Sequence, residues 1–418
     1  MLPNEPRVVI IGGGFGGLYA AKALRSASVA VKLIDRRNHH VFQPLLYQVA
    51  TAGLSAIDIG EPIRRILRTQ ANTVVQLAEV VSIDLESRHV ILAHGERIGY
   101  DYLIVAAGAG DSYLGHGDWE PHAPGLKSIE DALEIRRRVL CAFEQAETVE
   151  DPDERRALLT FVVIGGGPTG AELAGALVEL SRHTLVDEFR RFDPREARVL
   201  LVEAGDRILS GYPSTLSAKA QRQLERLGVE VRTGAPVNDV DASGIRLGED
   251  HVEARTVLWA AGVMASPLGS ELGTDRDEAG RVIVEPDLTI PGHREVFVVG
   301  DLAHVVDDGK QLPGVAPAAI QMGKHAADSI ARALRGEPTR SFRYVDRGTM
   351  ATLGRSSAIA VIKGLRLWGL PAWLAWLFIH ILFLIGFRNR AVVLFEWARS
   401  YLTYSRSARL ILYPDRSD

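Results

Sequence analysis

Two stretches of this chain leave little freedom in what it can fold into. Val8-Val9-Ile10-Ile11 runs into Gly12-Gly13-Gly14-Phe15-Gly16-Gly17, and Phe161-Val162-Val163-Ile164 runs into Gly165-Gly166-Gly167-Pro168-Thr169-Gly170. Each reads as a buried strand, a glycine turn and the opening of a helix. Both fit G-x-G-x-x-G. The first glycine allows the tight turn, the second lets backbone approach a pyrophosphate, and the third lets helix pack on strand. The helix start then offers free N–H groups and a positive dipole end to phosphates. A lone glycine pattern is weak. Here each is followed by a second strand that ends in an acid, Asp35 after Val29–Ile34 and Glu203 after Arg198–Val202, placed to hold a ribose hydroxyl.

The downstream spacing repeats as well. Ala107-Gly108 follows the apolar run Tyr102–Ala106, with Gly108 96 residues after Gly12; Ala261-Gly262 follows Thr256–Ala260, with Gly262 97 residues after Gly165. Two near-equal spacings mean two copies of one architecture. The expected fold is α/β, with two Rossmann-like dinucleotide-binding domains and two dinucleotides held at once. The copies differ in one respect. Glu203 lies 38 residues after Gly165, whereas Asp35 lies 23 after Gly12, and the polar surplus from His183 to Glu196 reads as a lengthened helix and loop.

Composition removes several rival classes. At 418 residues the chain exceeds one ordinary core. A formal charge of −4 gives no basic excess for nucleic acid. The single Cys141 cannot form an internal disulfide. That excludes electron relay through a cysteine pair and sulfide oxidation through cysteines. Cys141 lies in an amphipathic stretch and reads as core. The twelve histidines show no ligand-like spacing, so no metal is expected. Met1–Pro6 is short and polar and leads straight into a strand, so no signal peptide is expected.

Arg36-Arg37-Asn38-His39-His40 follows the first acid. It reads as a cap on an adenine or a support for the pyrophosphate, or else as a solvated loop. Pro44-Leu45-Leu46-Tyr47-Gln48 lines a cofactor pocket or closes the core. Residues 56–69 read as a helix entered through Glu61-Pro62, and 73–99 as a small antiparallel sheet. Ser128-Ile129-Glu130-Asp131 is a capping box before an amphipathic helix to about Glu147. Glu150–Arg156 reads as a charged linker at a domain boundary. Glu285–Ile290 reads as a crossover segment. Then Glu295–Val299 ends in Gly300-Asp301, a return to the first domain where Asp301 holds a cofactor sugar chain or serves as a turn residue. Residues 318–334 form a helix whose start faces the same site.

The tail carries a third signal. Leu367–Phe387 has no formal charge over 21 residues, long enough to span a bilayer. Pro371 and Gly386 shorten the usable helix, and His380 sits at its middle. Arg355, Lys363 and Arg366 precede it; Arg388, Arg390, Arg399, Arg406 and Arg409 follow. In Val392–Tyr404 the apolar residues recur at helical spacing. The favoured reading is an amphipathic helix lying in the membrane surface with aromatic anchors. A true span and a buried dimer interface are the alternatives.

With these features together the chain resembles the type II NADH dehydrogenases, single-subunit NADH:quinone oxidoreductases that do not pump protons. The resemblance covers essentially the whole chain. It rests on Gly12–Gly17, Gly165–Glu172, Gly300-Asp301-Leu302-Ala303, Ala316–Gln321 and the tail. It implies FAD held through Gly12, Gly13, Gly14, Phe15, Gly16, Gly17, Asp35, Arg36, Ala107 and Gly108. Gly300 and Asp301 would hold the ribityl end, and the backbone of Ala316, Pro317 and Ala318 the flavin ring. NADH would be held through Gly165, Gly166, Gly167, Pro168, Thr169, Gly170, Glu203, Ala261 and Gly262. Glu203 favours NADH over NADPH, since an acid repels a ribose phosphate, and Arg207 tempers that preference. Glu172 and Gln321 take the catalytic positions, though Glu172 also reads as a helix-start acid favoured by the dipole. Many members carry Ala-Gln-x-Ala-x-Gln at the quinone site; Ala316-Pro317-Ala318-Ala319-Ile320-Gln321 keeps only the second glutamine. The resemblance implies an FAD-binding domain in two segments, 1–113 and 286–340, an NADH-binding domain at 114–285 and a membrane-association region at 341–418. The partners are a membrane quinone, ubiquinone or menaquinone, and the cytoplasmic face of the cell membrane; the apolar tail permits a homodimer. The rival readings are a soluble NAD(P)H-dependent flavin reductase serving a small redox protein such as ferredoxin, and a non-enzymatic nucleotide sensor.

Overall fold

The computed structural model describes residues 5–384, 387–403 and 408–411. Met1–Asn4, Gly386, Tyr404 and Arg406 lie outside the described residues, as do the side chains of Arg388 and Arg399. The chain divides into two compact units. The first comprises Met1–Val41, Gly60–Gly110 and Val263–Asp346; the second comprises Phe42–Ile59, Asp111–Gly262 and Arg347–Asp418. The sequence reading placed the crossings at 113/114 and 285/286 and set the tail apart. In the structure residues 42–59 and the tail both belong to the second unit.

The first unit is built on a six-stranded sheet in the order Thr289–Ile290, His293–Val298, Tyr102–Val105, Arg7–Ile11, Ala30–Asp35, Thr73–Leu77. All neighbours pair in parallel except the Thr289–Ile290 edge. Val8, Ile10, Leu33, Ile104 and Val298 are fully buried, as strands covered on both faces require. Helices Phe15–Ala23 and Ala316–Leu334 pack so closely that a Cβ at Gly323 would lie 2.1 Å from the Gly16 carbonyl oxygen.

The second unit carries a four-stranded parallel sheet, Val229–Arg232, Arg198–Val202, Thr160–Ile164, Thr256–Trp259. Its inner face packs against Trp119, Val240, Ile245 and Val252. The unit ends with an antiparallel sheet, Thr349–Gly354, Ser357–Ile362 and Leu365–Gly369, followed by helices Leu370–Phe383 and Phe387–Thr403.

Several local expectations change. Residues 56–69 are not one helix. Ala56–Ile59 is a single turn, Gly60–Pro62 pairs with His39–Val41 as a strand, and Ile63–Leu67 is helical. The ring of Pro62 pushes Glu61 into extended backbone, so Pro62 precedes the helix instead of sitting inside it. Thr73–Leu77 joins the parallel sheet, leaving Val80–Asp84, His89–Leu92 and Arg97–Gly99 as the antiparallel one. The charged segment 150–156 is helical over Pro152–Leu158, capped by the Asp151 carboxylate on the Asp153 N–H. The 183–196 insertion opens as a π-turn, Leu180–Thr184, that extends helix Pro168–Glu179 and leads into turns and a short 3-10 helix. Cys141 is only half-buried, on the helix Ile129–Thr148 that the capping box starts. The uncharged run begins as a strand, turns at Gly369 with φ +67, and is helical over 14 residues from Leu370. Those 14 residues rise about 21 Å, short of a hydrocarbon core of about 30 Å. Among the described residues no helix is long and apolar enough to cross a membrane.

Candidate active site

The two glycine turns prove to be the same object built twice. Gly12 N–H donates to Ile34 O at 2.8 Å, and Gly165 N–H to Val202 O at 2.8 Å. A Cβ on Gly17 would lie 1.9 Å from Gly12 O, and one on Gly170 would lie 1.9 Å from Gly165 O. Only hydrogen fits there, because the helix starts directly against the strand end. Gly12 and Gly165 adopt φ +98 and +110 and pack onto the backbone of Ala106 and Ala260, just before Ala107-Gly108 and Ala261-Gly262. A Cβ on Gly14 or Gly167 would meet nothing within 4 Å. They are the N-caps of their helices, with no side-chain cap and no acid in the first turn. The first-turn N–H groups, those of Phe15, Gly16 and Gly17 in one helix and Thr169 and Gly170 in the other, are thus directed at an external anion.

The acids take matching places. Asp35 Oδ2 accepts from Gly13 N–H at 2.5 Å and its Oδ1 from Arg37 N–H at 2.7 Å. Glu203 Oε2 accepts from Gly166 N–H at 2.7 Å and its Oε1 from Gly205 N–H at 2.7 Å. Each oxygen keeps a lone pair for a sugar hydroxyl. Arg207 is spent elsewhere. Its guanidinium donates to Tyr212 O at 3.0 Å and Ser210 O at 2.8 Å, so the expected tempering of Glu203 has no geometric support. Of the basic segment, Arg36 is exposed and sits 3.8 Å from Glu79. His40 lies behind the first turn, its Nδ1 3.0 Å from Gly13 O and its ring edge-on to Phe15. Burial pushes its pKa down to about 4, so it is neutral.

In the first unit Asp301 occupies a 3-10 turn, Gly300–Leu302, at the end of His293–Val298. A Cβ on Gly314 would lie 3.2 Å from its Oδ1. Helix Ala316–Leu334 begins with Ala316, Pro317 and Ala318 and carries neither a side-chain cap nor a first-turn acid. Gln321 bonds the backbone of Val345. Its Nε2 donates to Val345 O at 3.0 Å and its Oε1 accepts from Val345 N–H at 3.0 Å.

Sequence reasoning missed the cavity of the second unit. It measures about 120 Å³ and is walled by Tyr47, Gln48, Thr51, Trp373, Trp376 and Trp397, with Glu172, Glu179, Thr352 and Arg355 among its polar residues. Gln48 links two walls, donating to the Tyr47 hydroxyl at 2.8 Å and accepting from Trp397 Nε1 at 2.7 Å. In the Pro44–Gln48 run Leu45 and Leu46 fill core, while Tyr47 and Gln48 line the cavity. His380 stacks on Trp376 at 4.3 Å, and burial lowers its pKa to about 4. Glu172 stands one turn into helix Pro168–Glu179 and accepts from Thr352 N–H at 3.2 Å. Burial raises its pKa to about 8 against the opposing pull of that hydrogen bond, so it holds its proton at neutral pH. Trp373 and Trp376 gave a signal, their crowding in an uncharged stretch, but nothing in their spacing, or in that of Trp397 beyond it, showed that they line a cavity with Glu172.

Two open helix starts, each backed by a parallel sheet and an acid at the next strand end, have the form of an oxidoreductase that handles two dinucleotides. The family model described as pyridine nucleotide-disulphide oxidoreductase matches residues 6–323. With one cysteine in the chain, the disulphide half of that description has no counterpart here. The chain is 47% identical over 419 residues to the type II NADH:quinone oxidoreductase Ndh of Mycobacterium tuberculosis, covering 97% of this chain and 90% of the relative. It is 30% identical to the type II NADH:quinone oxidoreductase of Staphylococcus haemolyticus, covering 87% of this chain and 91% of the relative. In fold it matches the structure of NDH2 from Plasmodium falciparum in complex with NADH, with a TM-score of 0.89 and 18% identity over 98% of this chain and 100% of the other. The chain belongs to the type II NADH:quinone oxidoreductases.

Proposed function

We propose that this protein oxidises NADH and reduces a membrane quinone at the membrane surface, without moving protons across the bilayer. The net reaction is NADH + H⁺ + quinone → NAD⁺ + quinol. FAD, when bound, supplies the carrier that takes a hydride from NADH and passes two electrons to quinone. The donor set of the first unit fits it: an open helix start at Gly14–Gly17 for the pyrophosphate, Asp35 for the ribose, Asp301 for the ribityl chain, and a second open helix start at Ala316–Ala318 for the ring. Gly165–Gly170 and Glu203 would hold NADH, and the negative charge of Glu203 disfavours a ribose phosphate.

The observation that carries the quinone reading is the cavity, which runs within one unit from the tryptophans of the tail helices to Glu172. An apolar, aromatic wall suits a flat quinone ring. A protonated carboxyl at the inner end suits delivery of a proton to the reduced quinone oxygen. Quinone contact rests on this cavity in our reading, with Gln321 bonded to the backbone of Val345. Membrane attachment rests on the tail. Leu370, Leu374, Phe378 and Leu382 recur every fourth residue and are each at least half exposed, forming one greasy stripe on helix Leu370–Phe383. Phe395 on the last helix and Leu365 and Trp368 on the preceding strand are similarly bare.

The test is anaerobic. NADH should bleach the flavin of the purified protein, and a short-chain quinone should restore the colour. Trp376→Ala should raise the quinone KM at least tenfold and leave bleaching by NADH unchanged. Equal loss in both half-reactions, or no change in the quinone KM, would remove the cavity from the mechanism.

A further inference from the structure

The cavity holds a second carboxylate that the reaction as described does not use. Glu172, Ala176 and Glu179 fall at i, i+4 and i+7 of helix Pro168–Glu179, so all three face the same way, and all three line the cavity. Strand Thr349–Gly354 lies against that face, so near that a Cβ on Gly175 would sit 2.6 Å from Leu353 O. Thr352 N–H donates to Glu172, and Arg355 N–H donates to Glu179. One donor comes from the strand and the other from the turn that follows it, so two backbone N–H groups meet two acids about 10.5 Å apart along the helix. A Cβ on Gly354 would lie 3.0 Å from Glu179 Oε1, so the strand end can close on the second acid only without a side chain there. The helix then gives way to the π-turn Leu180–Thr184, which brings Thr184 to the cavity wall.

We infer that Glu179 is the outer station of a proton path that runs along this helix face to Glu172, which hands the proton to the bound quinone. The inference rests on reading the cavity as the quinone site. The chemistry needs one solvent proton per turnover, since the hydride brings two electrons and one proton and the quinol carries two. That proton moves from solvent to the Glu179 carboxylate, through cavity water to Glu172, and from Glu172 to a quinone oxygen; Glu172 is then reprotonated by the same route. A gap of about 10 Å along the helix between the acids takes about three hydrogen-bonded waters, and Thr184, Thr352 and Arg355 on the cavity wall supply polar partners for them. Ala176 stands midway, and its methyl leaves the space open. Among the described residues the charged groups that line the cavity with Glu179 are Glu172 and Arg355. The Tyr212 phenol, close enough to feel the charge of Glu172, accepts from Thr349 Oγ1 at 3.0 Å.

The test reads the path without turnover. In oxidised holoenzyme at pH 7 the Glu172 carboxyl is protonated, and its infrared carbonyl band, identified by its loss in Glu172→Gln, shifts on transfer to D₂O. Glu179→Gln keeps the acceptor for Arg355 N–H and removes only the titrating group. Ala176→Leu leaves both acids and fills the space between them. Deuterium should reach Glu172 at least tenfold more slowly in each variant. Quinone reoxidation of the reduced enzyme should slow by a similar factor and acquire a solvent isotope effect, while reduction by NADH keeps its rate. Exchange at the parent rate in Glu179→Gln overturns the path, whatever Ala176→Leu does. Slowed exchange with an unchanged rate and pH profile of quinone reoxidation would keep the path but overturn its role in quinone protonation, and with it the cavity as the quinone site.

Discussion

Glu172→Gln should make this protein more stable, and the gain should grow with pH. Burial holds the Glu172 pKa near 8, against 4.5 for a free glutamate. Below pH 4.5 the acid is protonated in folded and unfolded chains alike, and burial costs nothing through ionisation. Between 4.5 and 8 the unfolded chain loses the proton while the folded one keeps it, so folding becomes less favourable by about 1.4 kcal/mol per pH unit. The cost is about 1 kcal/mol at pH 5 and about 3 kcal/mol at pH 7, and it levels off near 5 kcal/mol above pH 8. These are ceilings, because water in the cavity screens the charge. Glutamine has the same shape, keeps an acceptor for Thr352 N–H and does not ionise. The assay is urea unfolding of parent and variant holoenzyme at pH 5, 7 and 8.5, followed by tryptophan fluorescence. The midpoints should nearly coincide at pH 5 and separate progressively above it. In a thermal scan the pH 7 difference corresponds to about 6 °C at roughly 2 °C per kcal/mol. A gain independent of pH, or a variant less stable at pH 8.5, would refute a neutral buried carboxyl at this position.

Three further outcomes follow from the geometry. Glu203→Ala, which empties the acceptor for Gly166 and Gly205 N–H, should raise the KM for NADH at least tenfold, narrow the preference over NADPH and leave FAD content unchanged; loss of FAD would mean the two cradles are assigned in the wrong order. Gly17→Ala drives a methyl into the Gly12 carbonyl and should yield no stable holoprotein, whereas Gly14→Ala meets no protein atom and should fold normally while holding FAD more weakly, as flavin absorbance would register. Leu374→Glu with Phe378→Glu removes two half-exposed anchors worth about 1 kcal/mol each, so partition onto anionic lipid vesicles should weaken about thirtyfold with the NADH-driven bleaching of flavin retained; unchanged flotation with vesicles would dismiss the stripe as the docking face.

The duplicated cradle was open to reading from the chain alone because its demands are local. A strand of Val and Ile, a glycine wherever backbone meets backbone, and an acid at the next strand end are each set by the few residues beside them. The capping box at Ser128 was legible for the same reason: Asp131 N–H and Ser128 Oγ meet across a single turn. Short-range punctuation was harder. Pro62 split an apparently periodic helix, and Asp151 capped a segment whose charge suggested a linker, because one ring or one side-chain acceptor can outweigh the pattern of a whole window.

The cavity shows the limit. Tyr47, Glu172, Thr352 and Trp397 are scattered over some 350 positions, and no local rule brings them together. Their meeting depends on residues 42–59 leaving the first unit, on a strand and its following turn laid along helix Pro168–Glu179, and on two tail helices folding back over the same unit. Nor could composition tell that Gln321 would spend its amide on Val345, that Arg207 would turn toward carbonyls of its own loop, or that Glu172 would keep its proton. What this chain binds is written in consecutive residues, since a phosphate cradle is a property of one turn. The cavity, and the proton that Glu172 keeps in it, are set only when distant segments exclude water together, since burial and the pKa shift it causes belong to the packed molecule.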